Sequence, residues 1–199
     1  MPVITPAIFR EALMNSAENT LAQYILSGVP YVFRNRPRGY DEIKLRLANL
    51  LGVDPRFIRI VGSAHLGFCG KVKEFGRKFK EGCDVDTIIV SETMFDSYWH
   101  SLLKWHSSMK WSIPLRFRDI AVDHHERSIY WGHMWPDVLV RASATVPTWT
   151  AAFRSLSDVP ELAPYEVNGR LYRTWEHVNH YHLDSLRWLK FELQKKKGS

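Results

Sequence analysis

The sequence predicts an α/β (α+β) fold: a small mixed sheet, helices packed on one face, and a helical C-terminal part. Three observations carry this. Residues 57–61 and 85–90 are short runs rich in Ile and Val, and the second is nearly uninterrupted, as in a buried strand. Phe9, Leu13, Ala17, Leu21 and Tyr24 recur at helical spacing, and so do Leu171, Trp175, Val178, Leu186, Leu189 and Leu193. Hydrophobic residues make up 45% of the 199, with 8 Trp, 8 Tyr and 10 Phe, which argues for an aromatic core and against disorder.

Residues 6–27 read as the first helix, ended by Gly28 and Pro30. An arginine-rich turn follows, with Arg34, Arg36 and Arg38. Asp41 then starts a second helix carrying Ile43, Leu47 and Leu50, stopped by Gly52. Strand 57–61 runs into Gly62-Ser63, and strand 85–90 follows a spacer. Ser91 caps a third helix with Phe95, Trp99, Leu102, Leu103 and His106 along one side. Between 111 and 150 Trp, Pro, charges and short apolar runs mix. A helix near 117–130 and a strand near 137–141 is the best reading there. Residues 169–194 read as a long amphipathic helix capped by Asn168. The domain division is a core over 1–150 and a helical segment over 151–199 packed on it.

The formal charge of +6 suits phosphates, nucleic acid or acidic partners, although simple solubility explains it equally well. Cys69 and Cys83 are the only cysteines, too few for a disulfide framework. No secretory signal precedes them and no apolar stretch is long enough to span a bilayer. The expectation is a cytoplasmic chain with reduced thiols, not inserted in a membrane.

Asp84 and Asp86 open the second strand. Side chains at i and i+2 share a face, so two carboxylates lie side by side, which is costly unless a cation lies between them. Gly62-Ser63 offers backbone N–H groups and a hydroxyl that suit a phosphate. Together these pieces describe a site for a metal-bound nucleoside triphosphate. The spacer carries Lys71, Lys73, Arg77, Lys78 and Lys80 among Gly67, Gly70, Gly76 and Gly82. It reads either as a flexible flap that closes over phosphates or as a solvated charged loop. Arg170 and Arg173, placed at the start of the last helix, are expected to hold phosphate, with Tyr172 or Trp175 to stack on a base. The alternative leaves Trp175 in the core and the arginines in solvent. His124 and His125 point apart and make poor ligands with His133. His177 and His180 have helical spacing but no Cys or motif Glu to complete a zinc signature.

The strand, the Gly62-Ser63 turn and the Asp84-Val85-Asp86 strand resemble the nucleotidyltransferase superfamily of the DNA polymerase beta type, over roughly residues 57–91. The spacer is longer than in many members. The resemblance implies two Mg²⁺ (or Mn²⁺) ions held by Asp84, Asp86 and a third carboxylate from a neighbouring strand. Asp137 is the first choice for that third ligand, and Asp119 and Asp123 are the alternatives. The chain is also similar to compact anti-phage defence nucleotidyltransferases of bacteria, including the nucleotidyltransferase-like half of the Hailong system. The implied activity moves NMP or dNMP from a nucleoside triphosphate to a hydroxyl without a template. The product is then a nucleotide or oligonucleotide signal, and a membrane effector is the partner. Transfer to protein or tRNA, and an inactive nucleotide sensor or antitoxin, are the competing readings.

Overall fold

A computed structural model describes residues 4–109, 127–136 and 146–195. The first helix, α1 (Pro6–Asn15), begins where the Thr5 hydroxyl accepts the Ile8 N–H at 3.3 Å and Pro6 takes the first turn. The long helix expected over 6–27 is interrupted at Ser16. Its backbone is extended and its side chain accepts the Asn19 N–H, so it starts α2 (Ala17–Thr20). A π-helical turn over Leu21–Ile25 follows. The next helix, α3 (Pro37–Leu51), starts before Asp41 because Pro37 suits its first turn. It stops at Gly52, whose φ of +69° is left-handed.

Strand β1 (Ile58–Val61) leads into the short helix α4 (Gly62–Leu66), and β2 (Val85–Val90) into α5 (Glu92–Met109). Ser91 does cap α5, its Oγ accepting the Met94 N–H at 3.2 Å. The buried stripe of α5 is Phe95, Tyr98 and Leu102. Trp99 and Leu103, expected on that side, are exposed. Then come β3 (His133–Met134), α6 (Val146–Arg154), β4 (Val167–Tyr172) and α7 (Trp175–Lys195). The boundary expected at residue 150 falls inside α6. The stretch beyond it supplies a strand as well as a helix. The readings near 117–130 and 137–141 fall mostly outside the described residues, although 127–130 are helical.

The fold is mixed α+β, with sheet order β1-β2-β4-β3. Antiparallel pairing of β1 with β2 sets Val61 opposite Asp86. The parallel pairing of β2 with β4 sets Asp86 opposite Asn168 and Ile88 opposite Arg170. β3 adds antiparallel on the far side of β4.

The largest correction concerns residues 169–172, read as the start of the last helix after a cap at Asn168. They belong to the strand beside β2 instead. Gly169 explains why: a Cβ there would lie 2.2 Å from the Phe153 ring, so α6 packs directly on the β4 backbone. Thr174, not Asn168, begins α7. Its Oγ1 accepts the His177 N–H at 3.4 Å and lies 2.7 Å from His177 Nδ1.

Helices cover both faces of the sheet, not one. On the first face Tyr40, Ile43 and Leu47 of α3, Phe95 and Tyr98 of α5, and Trp149 of α6 bury Ile58, Ile60, Val85, Ile89 and Leu171. On the second, Phe9 and Leu13 of α1 and Val178, Leu186 and Leu189 of α7 bury Ile88, Val90 and Tyr172. This is why β2 is an unbroken apolar run after Asp86. Among the described residues no helix is long and apolar enough to cross a membrane.

Candidate functional site

Antiparallel pairing carries the turn after β1 to the head of β2. Gly62 has a φ of +68°, and a Cβ on it would lie 3.2 Å from Asp86 Oδ2. Only glycine brings that backbone so close to the carboxylate without strain. The sequence-expected neighbourhood of Gly62-Ser63 and Asp86 is therefore present. Asp84 lies just before β2 and is exposed, as is Asp86. Asp86 reaches solvent, yet protein crowds its flanks. That burial raises its pKa above the ordinary carboxylate value. Arg170 pulls it down, Asp84 pushes it up and Lys71 pulls it down again. The two acids feel each other, and two cations balance them in part.

Arg170 reaches this place by a route the sequence reading did not foresee. It sits on β4, two residues beyond the partner of Asp86, on the same sheet face. Its guanidinium lies 4.8 Å from the Trp135 ring centre and 5.1 Å from that of Tyr181. The hydroxyls of Tyr172 and Tyr181 lie close enough to act on its charge. Beside it, burial and then Arg170 hold the pKa of His182 down to about 4. The buried Nε2 of His182 has no hydrogen-bond partner among the described residues.

Arg173 is not part of this group. It follows β4 at the opposite end, about 16 Å along the strand from the level of Asp86. There it pairs with Glu92 at 3.2 Å and Asp96 at 3.1 Å on α5, and its N–H donates to the Gly132 carbonyl. Arg173, expected to hold phosphate, is placed away from Asp86 and engaged by two acids. Arg170 lies within β4, and Arg173 immediately precedes the Thr174 cap of α7.

The lysine-rich spacer is not a free flap. The Cys69 and Phe79 N–H groups donate to Arg77 and Gly67 carbonyls at 2.7 and 2.9 Å, and the Gly76 N–H donates to the Cys69 carbonyl. Phe68 and Phe79 are buried, and Phe75 packs against Phe9 and Phe68. The segment is a pinned loop that holds Lys71, Lys73 and Lys78 in solvent. Lys71 alone among them acts electrostatically on Asp86.

Asp137, Asp119 and Asp123 lie outside the described residues. The two strands that pair with β2 bear no acid: β1 reads Ile-Arg-Ile-Val and β4 reads Val-Asn-Gly-Arg-Leu-Tyr. Among the described residues no three of His, Cys, Asp and Glu converge as a metal site. The donor set of Asp84 and Asp86 fits one hard divalent cation completed by water and phosphate oxygens. His124 and His125 are outside the described residues, and His133 is buried against Tyr172 and Tyr181.

The sequence reading does not place Asn168 beside Asp86, or Trp135, Tyr181 and His182 beside Arg170. The alternation of Val167, Gly169 and Leu171 with Asn168, Arg170 and Tyr172 is the period-two signal that would have placed the first of them. No family model matches the chain, and neither a curated protein nor a solved structure shows significant similarity to it.

Proposed function

We propose that this protein is a nucleotidyltransferase-type enzyme that binds a nucleoside triphosphate with one or more divalent cations at Asp84 and Asp86. The observation that carries the proposal is the close approach of Gly62 to Asp86, which sets a glycine turn against the second carboxylate of the pair. The antiparallel β1–β2 pair, with the turn at one end and a parallel third strand beside β2, supports a nucleotidyltransferase type of sheet. Asp84 and Asp86 would hold Mg²⁺ or Mn²⁺, which when bound activates the attacking hydroxyl and neutralises the leaving pyrophosphate. The backbone N–H groups of Gly62 and Ser63 receive a phosphate. Lys71 and Arg170 balance the triphosphate charge, and Trp135, partly exposed beside Arg170, offers a ring for a base.

In this reading NMP or dNMP passes from the triphosphate to a hydroxyl and pyrophosphate leaves. The product is a nucleotide or oligonucleotide signal, made in the cytoplasm and received by a membrane effector. The formal charge of +6 supports an oligonucleotide product. A second reading, a nucleotide sensor without turnover, draws on Asn168 and Arg170 standing where a neighbouring-strand acid would complete the donor set.

Purified protein incubated with labelled nucleotides and Mg²⁺ or Mn²⁺, without template, separates these. A ladder of products supports polymerisation, and label on protein or tRNA supports transfer to a macromolecule. Metal-dependent binding without product supports the sensor. No nucleotide binding under any metal condition removes the proposal.

A further inference from the structure

Arg170 lies within electrostatic reach of the carboxylate expected to hold the cation. The parallel register sets it one strand over and two residues along from Asp86, a Cα separation of about 8 Å that its side chain spans easily. The guanidinium lies over two aromatic rings, with two tyrosine hydroxyls near it rather than an acid, and it forms no ion pair among the described residues. Beside it lies the unpartnered, buried Nε2 of His182. A strong fixed cation beside an acidic pair repels any metal that arrives alone. An incoming phosphate reverses this, because it draws the guanidinium's field to itself and adds oxygen ligands for the metal.

We propose that Arg170 is a positioning residue that couples the two ligands of this site: it disfavours a divalent cation without nucleotide and favours it once a triphosphate is bound. The inference rests on the function proposed above. Coupling of this kind is reciprocal, so the cation must strengthen nucleotide binding by the same factor. The chain then holds little free metal, and its acidic pair is loaded by the metal–nucleotide complex.

The test is Mn²⁺ binding followed by electron paramagnetic resonance on the wild type, Arg170→Gln and Arg170→Lys, first without nucleotide. The expected result is Mn²⁺ affinity higher by about fivefold or more in Arg170→Gln, with Arg170→Lys near the wild type. A gain of affinity does not arise from a chain that fails to fold. Tyr181→Phe, which loosens the guanidinium while leaving it charged, gives a smaller gain and serves if Arg170→Gln is unstable. A non-hydrolysable triphosphate is then added, and its affinity is measured by calorimetry with and without Mn²⁺. In the wild type each ligand tightens the other, and in Arg170→Gln that mutual effect shrinks about fivefold or more. Equal Mn²⁺ affinity in wild type, Arg170→Gln and Tyr181→Phe overturns the coupling. Absence of nucleotide binding in every variant overturns instead the function on which it rests, and the metal arm still reads the effect of Arg170 on the pair.

Discussion

Arg170, in the middle of β4, and Arg173, just past its end, stand three residues apart and do different work. Arg173 is ion-paired, with Glu92 and Asp96 on its guanidinium and the Gly132 carbonyl on its N–H. Arg170 is flanked by the rings of Trp135 and Tyr181 and by two tyrosine hydroxyls, and it shares a sheet face with Asp86. An arginine whose donors are taken by acids fastens one element to another. An arginine steered by aromatic groups keeps its charge available. The contrast separates the end of the sheet that holds the fold together from the end equipped for an anion and a metal.

The sharpest break of this contrast lies at the acids. Asp84→Ala and Asp86→Ala are each expected to reduce product to the level of a chelated control, with the fold retained. Asp86 has a raised pKa, so its ionisation costs stability. The protonated carboxyl favours the folded state below the unfolded value, and that advantage is lost as pH rises through the folded one, where the cost is complete. Asp86→Asn is therefore as stable as the wild type at neutral pH, or more so, in a thermal melt. Activity surviving in both Ala variants would return the acidic pair to a plain surface role.

The arginines come next. Arg170→Ala is expected to weaken triphosphate binding about tenfold, a loss of roughly 1.4 kcal/mol. Arg173→Ala should leave that affinity within about twofold and instead cost stability of about 0.5–1 kcal/mol, the usual worth of partly exposed ion pairs. Calorimetry and a denaturant melt on the two variants read both quantities. Equal effects on affinity would erase the distinction between the two ends.

A finer version concerns the spacer. Lys71→Ala is expected to weaken nucleotide affinity about threefold, as a single screened charge near the site. Lys73→Ala and Lys78→Ala should change it by less than about twofold, because neither lysine acts on Asp86. A fluorescent-nucleotide titration of the three single variants distinguishes a charge near the site from an undifferentiated basic loop.

The smallest effect is on stability in acid. Burial holds His65 and His182 near a pKa of about 4, below the ordinary histidine value of 6.5. The folded state then binds fewer protons than the unfolded one between those values. Stability is complete above 6.5 and declines as pH falls toward 4. The melting temperature of His182→Gln should fall less steeply than that of the wild type across this window. Parallel curves would show that His182 is not held neutral.

Much of the first half was legible in the residues. The Ile- and Val-rich strands, Gly52 as a stop and Ser91 as a cap each follow from one local preference, and the structure agrees. Gly62 beside Asp86 was also legible, because a turn and a following apolar strand bring chain ends together. The last third misled because Leu171 and Trp175 happen to lie four apart. A helical stripe drawn through them hides the strand alternation of 167–172, which long-range pairing with β2 selects. Asn168 thus looked like a cap, and Arg170 and Arg173 looked like equals on one helix turn. Their separation depends on the β2–β4 register, which joins residues some 80 positions apart and leaves no local mark.

The direct test of the central claim is a crystal structure of the protein with a non-hydrolysable nucleoside triphosphate and Mg²⁺. The account predicts a cation bridging Asp84 and Asp86 to the phosphates, a phosphate against the Gly62-Ser63 backbone, and the Arg170 guanidinium turned toward the triphosphate. A nucleotide bound elsewhere, with no cation on those two carboxylates, would contradict it.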